Sequence, residues 1–253
     1  MDLRDRVAVV TGGAAGAGRV VGSALAARGA VVLVADADGE RCAEAVAAIQ
    51  RDGGRADPVV VDVCADDAAE VLVAAASRLG PLGVLVNNAG GWGSAARRFP
   101  DAVPGEWGRV LDLNLRAPML LTQAVLAPLR AAGGGAVVNV ASGAGLDLSP
   151  YGSPEYGAAK AGLIRFTAAV AGLRDSHGVR VTCVVPGWIG LGRAHAQLAA
   201  MPPEERAQVP PFVPPELVAD SVVALAEDVD LAGRVLVLRG GRPPELLDPA
   251  PFE

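Results

Sequence analysis

Residues 7–18 read VAVVTGGAAGAG. An unbroken apolar run leads into a turn carrying glycine at 12, 13, 16 and 18. The run suits a strand covered on both faces. The glycines suit a chain that turns sharply into a helix, lets a ligand approach backbone and packs helix on strand. A helix starting there would offer free N–H groups and a partial positive charge to a pyrophosphate. In a chain with 32 glycines the motif says little alone; its place between first strand and first helix says much more. Gly12, Ala15, Gly16, Ala17 and Gly18 are therefore expected against a dinucleotide cofactor.

The same alternation continues outward. VVLVA (31–35), VVVDV (59–63), VLVN (84–87), VVNV (137–140), VTCVV (181–185) and VLVL (235–238) complete seven predicted strands. Between them lie Ala-rich helical segments near 17–28, 40–52, 66–78, 105–131, 155–175 and 216–227. Repeated βαβ units imply an α/β fold: a single-domain Rossmann fold, a doubly wound seven-stranded parallel sheet with helices on both faces. No repeat or low-complexity linker divides residues 1–253. Residues 187–215 break the rhythm with Gly187, Gly190, Gly192 and six prolines, and are expected to form a substrate lid. The proline-rich tail, 242–253, is expected to cover a neighbouring subunit or stay loose.

Composition narrows the function. With 51% hydrophobic residues the chain can bury a large core, and its net charge of −6 argues against nucleic-acid binding. Arg97 with Arg98 is the densest basic spot. Cys42, Cys64 and Cys183 have no CxxC spacing, and His177 and His195 are the only histidines. Buried thiols in a reducing cytoplasm fit better than disulfides or a metal site. The first residues lack a signal-peptide run, and no segment reaches the ~20 apolar residues of a membrane span.

Asp36 closes the second predicted strand, near the ~20-residue offset expected for a carboxylate on the adenosine ribose. A turn aspartate is the alternative, and Asp38 could share either role. A carboxylate there repels a 2′-phosphate, so NAD is favoured over NADP; Arg19 and Arg41 keep NADP open.

The ordered motifs resemble the short-chain dehydrogenase/reductase family over nearly the whole chain. They are TGGAAGAG, Asp62 with Val63, NNAG (87–90), Asn114 within LNLRAP, Ser142 after VVNVA, Tyr156 with Lys160, Pro186–Gly187 and Gly240–Gly241. Lys160 is the only lysine beside 21 arginines, and Tyr156 is one of two tyrosines. Four residues apart on a helix, they project from one face. A phenol near pKa 10 is a poor base, but an adjacent ammonium favours its phenolate; lowering it to near 7 amounts to about 4 kcal/mol. Arginine's planar fork cannot replace a compact ammonium there.

The resemblance implies that Tyr156 exchanges a proton with the substrate oxygen, Lys160 binds the nicotinamide ribose, and Ser142 orients the carbonyl or hydroxyl. Pro118 cannot donate the helical bond to the Asn114 carbonyl; the resemblance implies that this carbonyl holds a water linking Lys160 to solvent. It places Asp62 and Val63 against adenine, Asn88, Ala89 and Gly90 near the cofactor beside the bracing Asn87, and Pro186, Gly187 and Ile189 at the nicotinamide. Leu191 stands where the family often carries threonine.

Trp92, Ala144, Leu146, Tyr151, Trp188 and Phe212 are the expected, mostly apolar, substrate walls. Arg193 on the lid is read as solvated, with contact to an anionic substituent as the alternative. The expected activity interconverts a secondary alcohol and a ketone by direct hydride transfer to or from NAD, without a metal. An NADPH-dependent ketone reductase, a non-redox epimerase or dehydratase and an idle NAD-responsive binding module are the alternatives. The resemblance also implies a homotetramer assembled through the 105–131 and 155–175 helices and the last strand.

Overall fold

The computed structural model describes residues 1–93, 99–148 and 152–247. The Arg97–Arg98 spot, the pocket candidate Tyr151 and tail residues 248–253 lie outside the described residues.

One sheet contains β1 (Val7–Thr11), β2 (Val31–Asp36), β3 (Arg55–Val60), β4 (Leu82–Asn87), β5 (Gly135–Val140), β6 (Val179–Pro186), β7 (Val235–Leu238) and β8 (Glu245–Leu247). Their order is β3-β2-β1-β4-β5-β6-β7-β8. The first seven are parallel, while β8 pairs antiparallel with β7. The expected seven-stranded sheet is thus corrected to eight strands. Within the tail expected to be loose or intersubunit, Glu245–Leu247 pairs with its own sheet. A backbone bond from Arg242 N–H to Arg239 O and an Arg239–Glu245 ion pair hold this return. β8 covers backbone groups that β7 would otherwise leave unpaired.

Side chains alternate between the sheet faces. Ala8, Val10, Val32 and Val34 pack beneath α1 (Gly16–Ala27), α2 (Gly39–Arg51) and, near the chain's end, a helix at Pro215–Glu227. Val7, Val9, Val31 and Leu33 face α3 (Ala68–Leu79) and a helix at Ala117–Ala131. Each fully buried valine or leucine contributes about 1.5–3 kcal/mol relative to exposure. This explains why nearly continuous apolar runs become strands.

The predicted 105–131 helix is divided. α4 (Pro104–Leu111) meets α5 (Ala117–Ala131) through a π-helical turn at Asp112–Arg116, where Ala117 N–H donates to Asp112 O. Pro118 has no N–H for the regular ladder. The predicted 155–175 helix becomes α6 (Pro154–Ala169) and α7 (Leu173–His177). The segment expected to form a lid, 187–215, contains α8 (Gly192–Ala200) and α9 (Pro203–Arg206) before α10 (Pro215–Glu227). Strand order reverses between β1 and β4, opening a crevice beyond their C-terminal ends.

Candidate active site

A cleft of about 1460 Å³ follows that crevice. At its floor, Asn88 Nδ2 donates to the carbonyls of Thr11 (2.9 Å) and Gly12 (3.0 Å). Thr11 Oγ1 accepts from Asn88 N and Ala89 N, so NNAG braces the glycine-rich turn. A Cβ on Gly18 would stand 2.1 Å from Gly12 O and 2.4 Å from Asn88 Nδ2. Gly18 is therefore buried in the turn, whereas Gly12, Ala15, Gly16 and Ala17 line the cleft. Ala15 offers no side-chain cap to α1, leaving its first-turn N–H groups suited to an anion. These features fit a dinucleotide's pyrophosphate.

Asp36 also lines the cleft. Its Oδ2 accepts from Ala14 N (3.3 Å) and its Oδ1 from Asp38 N (3.2 Å). Asp38 caps α2 by accepting from Arg41 N (3.1 Å), and its other oxygen pairs with Arg41 Nε (3.3 Å). The carboxylate beside the cleft is thus Asp36, while Asp38 holds the nearby cation. Asp62 and Val63 are not among the cleft's lining residues. Val63 is buried in the core, and Asp62 accepts from Cys64 N (3.0 Å) and pairs with Arg109 (2.9 Å). The Cys64 amide and then Arg109 hold its carboxyl below the usual range.

Pro154 suits the first position of α6, whose buried face presents Tyr156 and Lys160. Lys160 is 3% exposed; its Nζ stands 5.6 Å from the Tyr156 ring centre and donates to Val140 O at 2.8 Å. Burial pushes its pKa down from 10.5 to about 8, against an opposing attraction to Cys183. Burial pushes the Cys183 thiol up to about 12. Ser142 Oγ accepts from Ala144 N (3.3 Å) at a 3₁₀ turn, Gly143–Gly145. A Cβ at Gly145 would lie 2.6 Å from Ala161 N, so this turn seats tightly against α6. Ser142, Tyr156 and Lys160 consequently share the cleft.

Asn114 is fully buried and does not line the cleft. Its Nδ2 donates to Gly91 O (2.7 Å) and Val110 O (2.8 Å), while its Oδ1 accepts from Gly91 N (3.1 Å). The side chain therefore clips the loop after NNAG. A Cβ on Gly90 would meet both Asn114 Oδ1 (2.8 Å) and Lys160 Nζ (3.2 Å), which locates Asn114 beside the lysine. Ala89, Gly90, Pro186, Gly187 and Ile189 line the cleft; Ile189 bridges to Val213.

Among the expected substrate walls, Trp92, Ala144, Leu146 and Trp188 line the cleft. Phe212 does not; it stacks on Trp188 at 6.0 Å and meets His195 edge-on at 4.7 Å. Trp92 meets Tyr156 edge to face at 6.0 Å, with the Arg193 guanidinium 4.0 Å from the indole centre. Sequence reading missed Val140 as the lysine's carbonyl partner, because backbone acceptors carry no residue-type signal. Met201, Glu205 and Gln208 also line the cleft; their signal was only a place in the segment 187–215 that breaks the strand–helix rhythm.

The cleft places a phenol, an ammonium and a hydroxyl beside the glycine-rich turn, an arrangement that fits an oxidoreductase site. A family model for short chain dehydrogenases matches residues 6–200, and the chain belongs to that family. It is 36% identical over 250 residues to the cis-4-hydroxycyclohexanecarboxylate dehydrogenase of Sinomonas cyclohexanicum, covering 94% of this chain and 96% of that one. Over 250 residues it is 34% identical to the cyclopentanol dehydrogenase of Comamonas sp. (strain NCIMB 9872), covering 94% and 97%. The structure of an NAD+-bound xylitol dehydrogenase superposes with a TM-score of 0.85 at 25% identity, covering 95% of this chain and all of that one. The chain is an oxidoreductase acting on CH–OH or C=O groups and uses a nicotinamide cofactor.

Proposed function

We propose that the chain is an NAD-dependent dehydrogenase of secondary alcohols carried on an apolar ring. The observation that carries this reading is the shared cleft of Asp36, Ser142, Tyr156 and Lys160. Asp36 disfavours a 2′-phosphate by charge, and Arg41 is already held by Asp38. The names of the cyclohexanecarboxylate and cyclopentanol dehydrogenases, together with the Leu146 and Trp188 walls, support a ring substrate.

A bound nicotinamide supplies the hydride acceptor. Tyr156 takes the hydroxyl proton as the carbinol C–H pair departs and the C=O bond forms. Ser142 positions that oxygen, its hydroxyl retaining a donor beside the Ala144 contact. Lys160 spends one N–H on Val140 O and has two more for ribose hydroxyls and the phenol side. The Asn114 carbonyl, which Pro118 cannot satisfy, serves as a water anchor for proton exit. The homotetramer implied by the resemblance would use α5, where Met119 and Leu120 are exposed.

Side-by-side NADH and NADPH titrations, read by nicotinamide fluorescence, test the cofactor reading. Tighter NADH binding, with oxidation of cyclopentanol or a cyclohexanol by NAD, supports it. Tighter NADPH binding would instead favour ketone reduction with Arg41, which lines the cleft, released to the phosphate.

A further inference from the structure

Arg193 lies at the start of α8, on the lid. Its guanidinium rests 4.0 Å from the centre of Trp92, which meets Tyr156 edge to face. One indole therefore separates a cation from the phenol. Arg4, Arg55 and Arg174 on the outer surface pair with carboxylates. Among the described residues no carboxylate pairs with Arg193, although Asp147 and Glu205 line the same cleft. An aromatic face holds a guanidinium through its quadrupole and leaves the N–H donors unspent.

Ala144, Leu146 and Trp188 supply apolar wall on the same cleft. They can hold a ring but offer no group to pair with a charged substituent, whose desolvation they would leave uncompensated. A guanidinium fork matches a carboxylate in shape and charge. A phosphate dianion would leave half its charge unmet, and Asp147 and Glu205 on the same cleft oppose a dianion more than a monoanion.

We infer that Arg193, carried on Trp92, binds a substrate carboxylate and makes the substrate a hydroxy acid whose carbinol and carboxylate are separated by a ring or short apolar spacer. This rests on the dehydrogenase reading of the cleft. Trp92 orients the guanidinium, and the spacer crosses the apolar wall between Arg193 and Tyr156.

The test pairs binding with turnover. In the presence of NADH, calorimetry compares unreactive cyclohexanecarboxylate with its neutral isostere, cyclohexanecarboxamide. The wild-type protein binds the carboxylate at least about tenfold more tightly, Arg193→Gln abolishes that preference and Arg193→Lys retains part of it. Equal affinity for the two ligands, or an undiminished preference in Arg193→Gln, overturns the subsite. The same variants are assayed on 4-hydroxycyclohexanecarboxylate and its amide, with kcat/KM expected to favour the acid through KM. Equal kcat/KM for acid and amide overturns the subsite while the dehydrogenase reading stands. An Arg193-dependent binding preference without oxidation of either substrate by NAD or NADP supports the subsite and overturns the dehydrogenase reading.

Discussion

The Lys160 ammonium stands 5.6 Å from the centre of the Tyr156 ring, and Val140 O accepts one of its protons. In so dry a position a positive charge acts on the phenol with little screening. Tyr156→Phe removes the proton acceptor while preserving the ring against Trp92. We expect kcat to fall about 10²–10⁴-fold with NADH affinity largely retained. Stopped-flow turnover and fluorescence titration of the same preparation check both; retained turnover would remove Tyr156 from the chemistry.

Burial of Lys160 also predicts a pH signature. Its folded pKa, about 8, lies below the 10.5 of an exposed lysine. Below pH 8 both folded and unfolded states carry the proton, and the burial cost is constant. Between about 8 and 10.5 the unfolded chain binds more protons, so this group's contribution to stability rises with pH, by roughly 3 kcal/mol in all. Cys183 acts in the opposite direction: its folded thiol keeps its proton to about 12, against 9.0 when exposed, so its contribution falls across that range. Urea unfolding of the cofactor-free wild type and Lys160→Met isolates the lysine. Wild type should gain on the variant from pH 8 to 10; a flat difference would mean the folded lysine is not desolvated.

Asp36 and Arg41 offer a test of cofactor choice. Asp36→Ala should weaken NADH binding and shift the NADH-to-NADPH affinity ratio toward NADPH by at least about tenfold. Adding Asp38→Ala frees Arg41 from its 3.3 Å ion pair and should carry the ratio further. The second change also removes the α2 cap, at a cost of about 1 kcal/mol. Fluorescence titration of both variants reads the ratio. An unchanged ratio would separate Asp36 from cofactor selection.

Much of this arrangement was legible because its determinants are local. Continuous valine runs located the central strands, and the glycine turn located the helix start beyond β1. Tyr156 and Lys160 could be placed on one helix face from spacing alone. β3 was less legible: Arg55 and Asp57 make its first half polar, so the apolar run at 59–63 drew the expected strand toward the C-terminus. The three residues of β8 are too few for periodicity, and its pairing depends on the distant edge of β7. Asn114 was recognised for its carbonyl, but two of the three hydrogen bonds of its amide go to a loop 23 residues away, which residue type and spacing do not reveal. Phe212 was equally legible as apolar and equally illegible in direction: only packing showed that it supports Trp188 from behind.

Two glycines in helices should respond oppositely to alanine. At Gly18 a Cβ would fall 2.1 Å from the Gly12 carbonyl, and that backbone is itself held by Asn88. The turn cannot yield without losing the brace between β1 and β4. Gly18→Ala should therefore lower stability by about 1–3 kcal/mol and sharply weaken NADH binding. Gly108, inside α4, has nothing within 4 Å of its added Cβ. There alanine removes the backbone-entropy cost of helical glycine, and Gly108→Ala should stabilise the protein by about 0.5–1 kcal/mol. Urea melts with NADH titrations distinguish the two. A Gly18→Ala protein of normal stability and NADH affinity would show that the turn moves as a unit, and that close packing does not fix the cradle's shape.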